Sequence, residues 1–175
     1  MSKPTDSLTL GVILERRASS HPWADHVWRP LAVVPGLAPG GGPNSAWRTL
    51  REGPDWAHIL AGSLELELYA KETDGYRVNL AQSQPAVFVV LRPGEEADDP
   101  EVVPFHVTAC PYEAQDYEDS GDEIVEGVAM PDEVRAWLEA FVAEHHVEQP
   151  FKKRQRKPYD PRKGGFARRQ GGAGD

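Results

Sequence analysis

The sequence predicts a mainly β (α+β) domain: six or seven antiparallel strands in a strongly bent sheet or partial barrel, capped by one C-terminal amphipathic helix. Three observations carry this expectation. Residues 8–15 and 60–71 alternate apolar and polar side chains with the period of a half-buried strand, and residues 86–91, AVFVVL, are apolar throughout. Only residues 131–146 carry a clear helical stripe, with Val134, Trp137, Leu138, Phe141 and Val142 recurring on one face. The 16 glycines and 16 prolines supply the turns that many short strands need.

In chain order, the first strand places Leu8, Leu10, Val12 and Leu14 on one face, with Thr9, Gly11, Ile13 and Glu15 on the other. Residues 27–34 form the second, and Pro30 pushes it to a sheet edge or a bulge because proline gives no N–H to a ladder. Residues 35–45, PGLAPGGGPNS, hold too much glycine and proline for a regular element, so a mobile surface loop is expected. A short strand at 47–50 leads through Gly53-Pro54-Asp55 to the strongest pattern, where Leu64, Leu66 and Leu68 oppose Ser63, Glu65, Glu67 and Tyr69. Asp74-Gly75 reads as a hairpin turn before a strand at 76–80. The AVFVVL run becomes a central strand covered on both faces, residues 93–100 an acidic loop, and 102–110 a last long strand interrupted by Pro104. Residues 112–123 are acidic without a core pattern, and 124–130 show no decisive period. Pro131 suits the first helical turn, Asp132 and Glu133 complement its positive end, and His145 and His146 its negative end. A bent sheet closed by a terminal helix resembles pleckstrin-homology-like domains, an architectural analogy that carries no function. The expected organisation is a flexible N-terminus over 1–7, one β-rich domain over 8–149 and a disordered basic tail over 150–175.

With 175 residues, 39% hydrophobic and 27% charged, the chain fits one soluble domain with a tail. No apolar run approaches the roughly 18 residues of a membrane span. The start, MSKPTDSLTL, lacks the features of a secretory signal, so the expected location is the cytoplasm. Cys110 is the one cysteine, which excludes an intramolecular disulfide and any paired-cysteine site built by this chain alone. The net charge of −9 is uneven: Lys152, Lys153, Arg154, Arg156, Lys157, Arg162, Lys163, Arg168 and Arg169 crowd a tail that follows a strongly acidic body.

Motifs for catalysis are absent from this pattern. Gly40-Gly41-Gly42 lacks the Lys-Ser/Thr of a phosphate loop, and no GxSxG accompanies a nucleophile. The histidines at 21, 26, 58, 106, 145 and 146 make neither HxH nor HExxH, and the acidic run from Glu113 to Glu123 lacks the glycine and closing glutamate of a calcium loop. No catalytic residue, metal or cofactor is assigned, and a binding role is favoured over an enzymatic one.

The segment best suited to binding is 11–36, which holds Arg16, Arg17, Trp23, Asp25, Trp28 and Arg29 between two strands. Tryptophan and arginine dominate interface energetics, so these six residues form the candidate contact patch. The alternative is structural, with the tryptophans anchoring the hairpin and the arginines paired with Glu15, Asp25 or Asp55. The tail residues Lys152, Lys153, Arg154, Arg156 and Lys157 are candidates for electrostatic capture of a protein or a nucleic acid, with Phe151, Tyr159 and Phe166 interleaved as stacking groups.

The order ERR at Glu15 to Arg17, Pro22-Trp23, Asp25, WRP at Trp28 to Pro30, and VVPG at Val33 to Gly36 resembles the opening of a bacterial family of unknown function. Genes of that family sit beside those of molybdenum-dependent formate dehydrogenase. The resemblance implies an accessory or assembly factor that binds a subunit of that enzyme or another maturation protein. Some relatives carry the label molybdopterin-guanine dinucleotide biosynthesis protein, which implies an enzyme of molybdenum cofactor nucleotide biosynthesis. This chain departs from that enzyme's pattern, because Leu60-Ala61-Gly62-Ser63 leads into Glu65 and Glu67 rather than a glycine-rich phosphate loop with Arg and Lys.

Overall fold

A computed structural model describes residues 3–22, 25–37, 47–121 and 123–147. Trp23, Asp122, most of the glycine-rich stretch and the whole basic tail therefore lie outside the described residues. Among the described residues, seven antiparallel strands form two sheets. The first has the order β2-β1-β4-β3, from β1 (Asp6–Ala18), β2 (His26–Pro35), β3 (Arg48–Glu52) and β4 (Trp56–Leu68). The second has the order β6-β5-β7, from β5 (Ala86–Pro93), β6 (Val102–Thr108) and β7 (Ile124–Ala129). The described residues also form three α-helices: α1 (Thr73–Leu80), α2 (Pro111–Ser120) and α3 (Asp132–His145). The single bent sheet expected from the sequence is thus divided. β2 lies along β7 and β4 along β6, but no ladder joins the two sheets into a closed barrel.

The alternation in β1 and β4 explains their placement, since Leu10, Val12, Leu14, Leu66 and Leu68 are all fully buried in one core. The AVFVVL strand is central, as expected, and Val87, Val89, Val90 and Leu91 are fully covered. Pro30 satisfies both of its expectations: β2 is an edge strand, and Leu31 bulges between the Leu14–Pro30 and Ile13–Ala32 pairs. A second bulge faces Val12–Ile13 at Ala61, beside Gly62, whose φ of 147° is a conformation that side-chain-bearing residues rarely adopt.

Two segments differ from the sequence expectation. Residues 73–80 are helix α1, not a turn and strand, because Tyr76, Gly75 and Asn79 face the core at helical spacing. The acidic stretch is helix α2, with Pro111 at its start and Gly121 closing it in the left-handed region at φ 82°. Only Ala114 of α2 is buried, so its apolar signal is one residue wide. The C-terminal helix is as expected, with Val134, Leu138 and Phe141 buried and Trp137 and Val142 packed against the core.

Asn79 ties these elements together. Its amide is 1% exposed, donates to the carbonyls of Ala86 (2.7 Å) and Ala109 (2.9 Å), and accepts from the Ala86 N–H (3.0 Å). Helix α1, the start of β5 and the end of β6 are thereby fixed by one side chain whose polar capacity is nearly filled.

Candidate functional site: the cationic face of the first sheet

Strand pairing decides which of the flagged side chains stand together. Residues directly opposite share a face, and Arg16 pairs with Trp28 while Arg17 pairs with Val27 and Glu15 with Arg29. The six-residue patch is therefore split. Arg16 and Trp28 continue the core face, and Arg17 and Arg29 stand on the outer face with Glu15. Asp25 is exposed at the head of the hairpin, and Trp23 lies outside the described residues.

On the core side, Trp28 is half-buried and structural. Its Nε1 donates to Glu101 Oε2 at 2.6 Å, its ring meets Trp47 edge-on at 5.5 Å, and the Arg16 guanidinium lies 5.9 Å from its centre. This contact carries the first sheet to the start of β6.

The outer face carries a row that crosses all four strands: Arg29 on β2, Glu15 on β1, His58 on β4 and Arg51 on β3. Glu15 is only 6% exposed. Arg17 covers it, donating from Nε to Oε1 at 2.7 Å and from Nη2 to Oε2 at 3.4 Å, and His58 Nε2 lies 3.1 Å from Oε2. A carboxylate only accepts, so that histidine nitrogen carries the hydrogen. Arg17 holds the Glu15 carboxyl below its ordinary range, against the opposing effect of burial and with help from His58. Trp56 packs on His58 with ring centres 4.7 Å apart. The Arg17–Glu15 pair is one of those the sequence anticipated.

Arg48 and Arg51 are the residues that sequence reasoning missed. Three positions apart on a regular strand, they would face opposite ways. Leu50 bulges between the Thr49–Ile59 and Arg51–His58 pairs, which brings Arg48, opposite Leu60, to the same face as Arg51. By strand register Arg17, Arg29, Arg48 and Arg51 thus share one face of the sheet with Glu15, which only Arg17 among them contacts. Arg29 reaches around the sheet edge to Glu126 on β7 at 3.9 Å. Val27 and Leu31 are exposed beside them. Beyond Gly62, the same face changes character and bears Thr9, Glu65 and Glu67.

A separate carboxylate–histidine cluster lies on the second sheet under α2. Glu113 accepts from Thr108 Oγ1 at 2.9 Å and lies 2.6 Å from His106 Nε2, and Tyr117 packs on the His106 ring. Burial pushes the Glu113 carboxyl up, but His106 and Thr108 outweigh it, leaving it below the ordinary 4.5. A depressed folded-state value stabilises the fold above 4.5, and that contribution is lost as pH falls through the lowered value. Urea denaturation of wild type and Glu113→Gln is therefore expected to show a stability gap at neutral pH that narrows progressively as pH falls below the ordinary 4.5. A gap that stays constant would assign the effect to packing alone. Among the described residues, no three His, Cys, Asp or Glu side chains gather as a metal site, and no helix is long and apolar enough to cross a membrane.

A family model described as a protein of unknown function, DUF3305, matches residues 9–155. The chain belongs to the DUF3305 family. The match takes in both sheets, all three helices and the opening of the basic tail. No curated protein and no solved structure matches the chain.

Proposed function

We propose that this DUF3305 protein is a non-enzymatic accessory or assembly factor for a molybdenum-dependent formate dehydrogenase, acting by binding protein. The observation that carries the binding role is the outer face of the first sheet, where Arg17, Arg29, Arg48 and Arg51 stand on a four-stranded support. Arginine on a rigid strand loses less freedom when it pairs than it would on a loose segment, which suits a recognition surface. The formate dehydrogenase assignment rests on the likeness of residues 11–36 to the family encoded beside that enzyme. The tail, with nine basic residues beyond residue 151, favours a second reading in which a nucleic acid is the partner.

Affinity purification of the tagged full chain from cells expressing formate dehydrogenase tests both. The expected result is recovery of an unassembled enzyme subunit or another maturation protein, insensitive to nuclease and reduced by Arg29→Glu. Recovery that disappears with nuclease would give the association to the tail instead. Finding neither the enzyme's subunits nor its maturation factors in the eluate refutes the assignment.

A further inference from the structure

The chemistry of the partner follows from that face. Resting on the protein-binding reading above, we infer that it receives an extended acidic segment of the partner, whose carboxylates pair with Arg29, Arg48 and Arg51. Arg17 is already engaged with Glu15, whereas Arg48 and Arg51 are exposed on the edge strand and Arg29 holds Glu126 only at 3.9 Å. These guanidinium groups are a local exception on a body in which acidic residues far outnumber basic ones, so the complement they select is anionic. The geometry suits an extended chain. Arg29 and Arg51 stand three strand spacings apart, about 14 Å, and alternate side chains of a β-strand recur every ~7 Å. Two glutamates four positions apart on such a chain therefore reach Arg29 at one end and Arg51 at the other, where Arg48, beside Arg51 on β3, takes a neighbouring carboxylate. The planar forks of arginine match carboxylates two bonds at a time. Val27 and Leu31 border the row and offer apolar contact to the residues between. The chain's own tail is excluded as the occupant, because its charge has the same sign as the face.

The test is fluorescence anisotropy of the full chain with a labelled twelve-residue peptide of alternating glutamate and threonine at low salt. Saturable binding is expected, weakened at least about tenfold by Arg48→Glu/Arg51→Glu and several-fold by Arg48→Gln/Arg51→Gln, with an alternating lysine–threonine peptide inert. Both substituted positions are exposed, and unchanged circular dichroism and thermal midpoint would confirm the fold of each variant. Undetectable peptide binding by wild type, equal binding by the variants, or tighter binding of a twelve-nucleotide single strand that is itself weakened by Arg48→Glu/Arg51→Glu would each overturn the inference. The outcome is separable from that of the broader function. A subunit that co-purifies equally with wild type and the double variant leaves protein binding intact and removes this face from it. Patch-dependent peptide binding without any co-purified enzyme component supports the acidic-segment site and removes formate dehydrogenase as its source.

Discussion

Replacing Asn79 with leucine is expected to lower the unfolding free energy by about 4 kcal/mol, because one substitution removes the partner of three backbone groups at once, one of them fully buried. The Ala86 N–H and the carbonyls of Ala86 and Ala109 all turn to this side chain, and water does not reach a residue that is 1% exposed. A buried polar group without a partner costs about 1–3 kcal/mol, and leucine's apolar surface recovers only part of that here. For a folded region of this size, the loss corresponds to a fall in thermal midpoint of roughly 14 °C. Differential scanning calorimetry of the full chain measures it directly. A fall under about 3 °C would mean that these backbone groups find other partners, and that α1 is not held as described.

Gly75→Ala is expected to destabilise the protein by about 2 kcal/mol, against the ordinary preference of helices. Alanine in a helix interior is normally about 1 kcal/mol better than glycine. At this position in α1 an added Cβ would lie 2.5 Å from the Cys110 sulfur, with a Tyr112 ring carbon at 3.4 Å. Overpacking outweighs propensity because Cys110 is itself buried and cannot withdraw. The same substitution made in a Cys110→Ala background removes the obstructing atom and should become neutral or stabilising. Urea denaturation of the two single variants and the double variant closes the cycle. A coupling below about 0.5 kcal/mol would show that the helix and the cysteine are not in contact.

Glycine at position 75 also marks where sequence reasoning stopped. Asp74-Gly75 carries the usual chemistry of a hairpin turn, yet here the glycine serves a close approach between α1 and the strand-to-helix junction at Cys110. That reason is tertiary and leaves no local trace. Helix α2 was hidden differently: one buried alanine among acidic residues gives too narrow a stripe to register as a period. By contrast, the long alternations at Leu64, Leu66 and Leu68 and the continuous AVFVVL run were legible because burial on one face or on both writes itself directly into residue order. The division into two sheets was not, since pairing partners are set by distant contacts. At the site, proximity in sequence suggested a single patch of Arg16, Arg17, Trp23, Asp25, Trp28 and Arg29, but strand alternation sends Arg16 and Trp28 inward. Arg48 and Arg51 were invisible as a pair because the Leu50 bulge cancels the parity that a regular strand would impose.

The long β1–β4 ribbon, interrupted at Gly62, has a consequence for how a ligand arrives. Its solvent side is cationic near His58 and anionic near Glu65 and Glu67, positions separated by about 20 Å along the strand. That separation is about two and a half screening lengths at physiological ionic strength, so each pole acts at short range and without cancelling the other. A polar molecule settling on the ribbon feels a torque as well as an attraction, and its negative end is turned toward β3 before any contact forms.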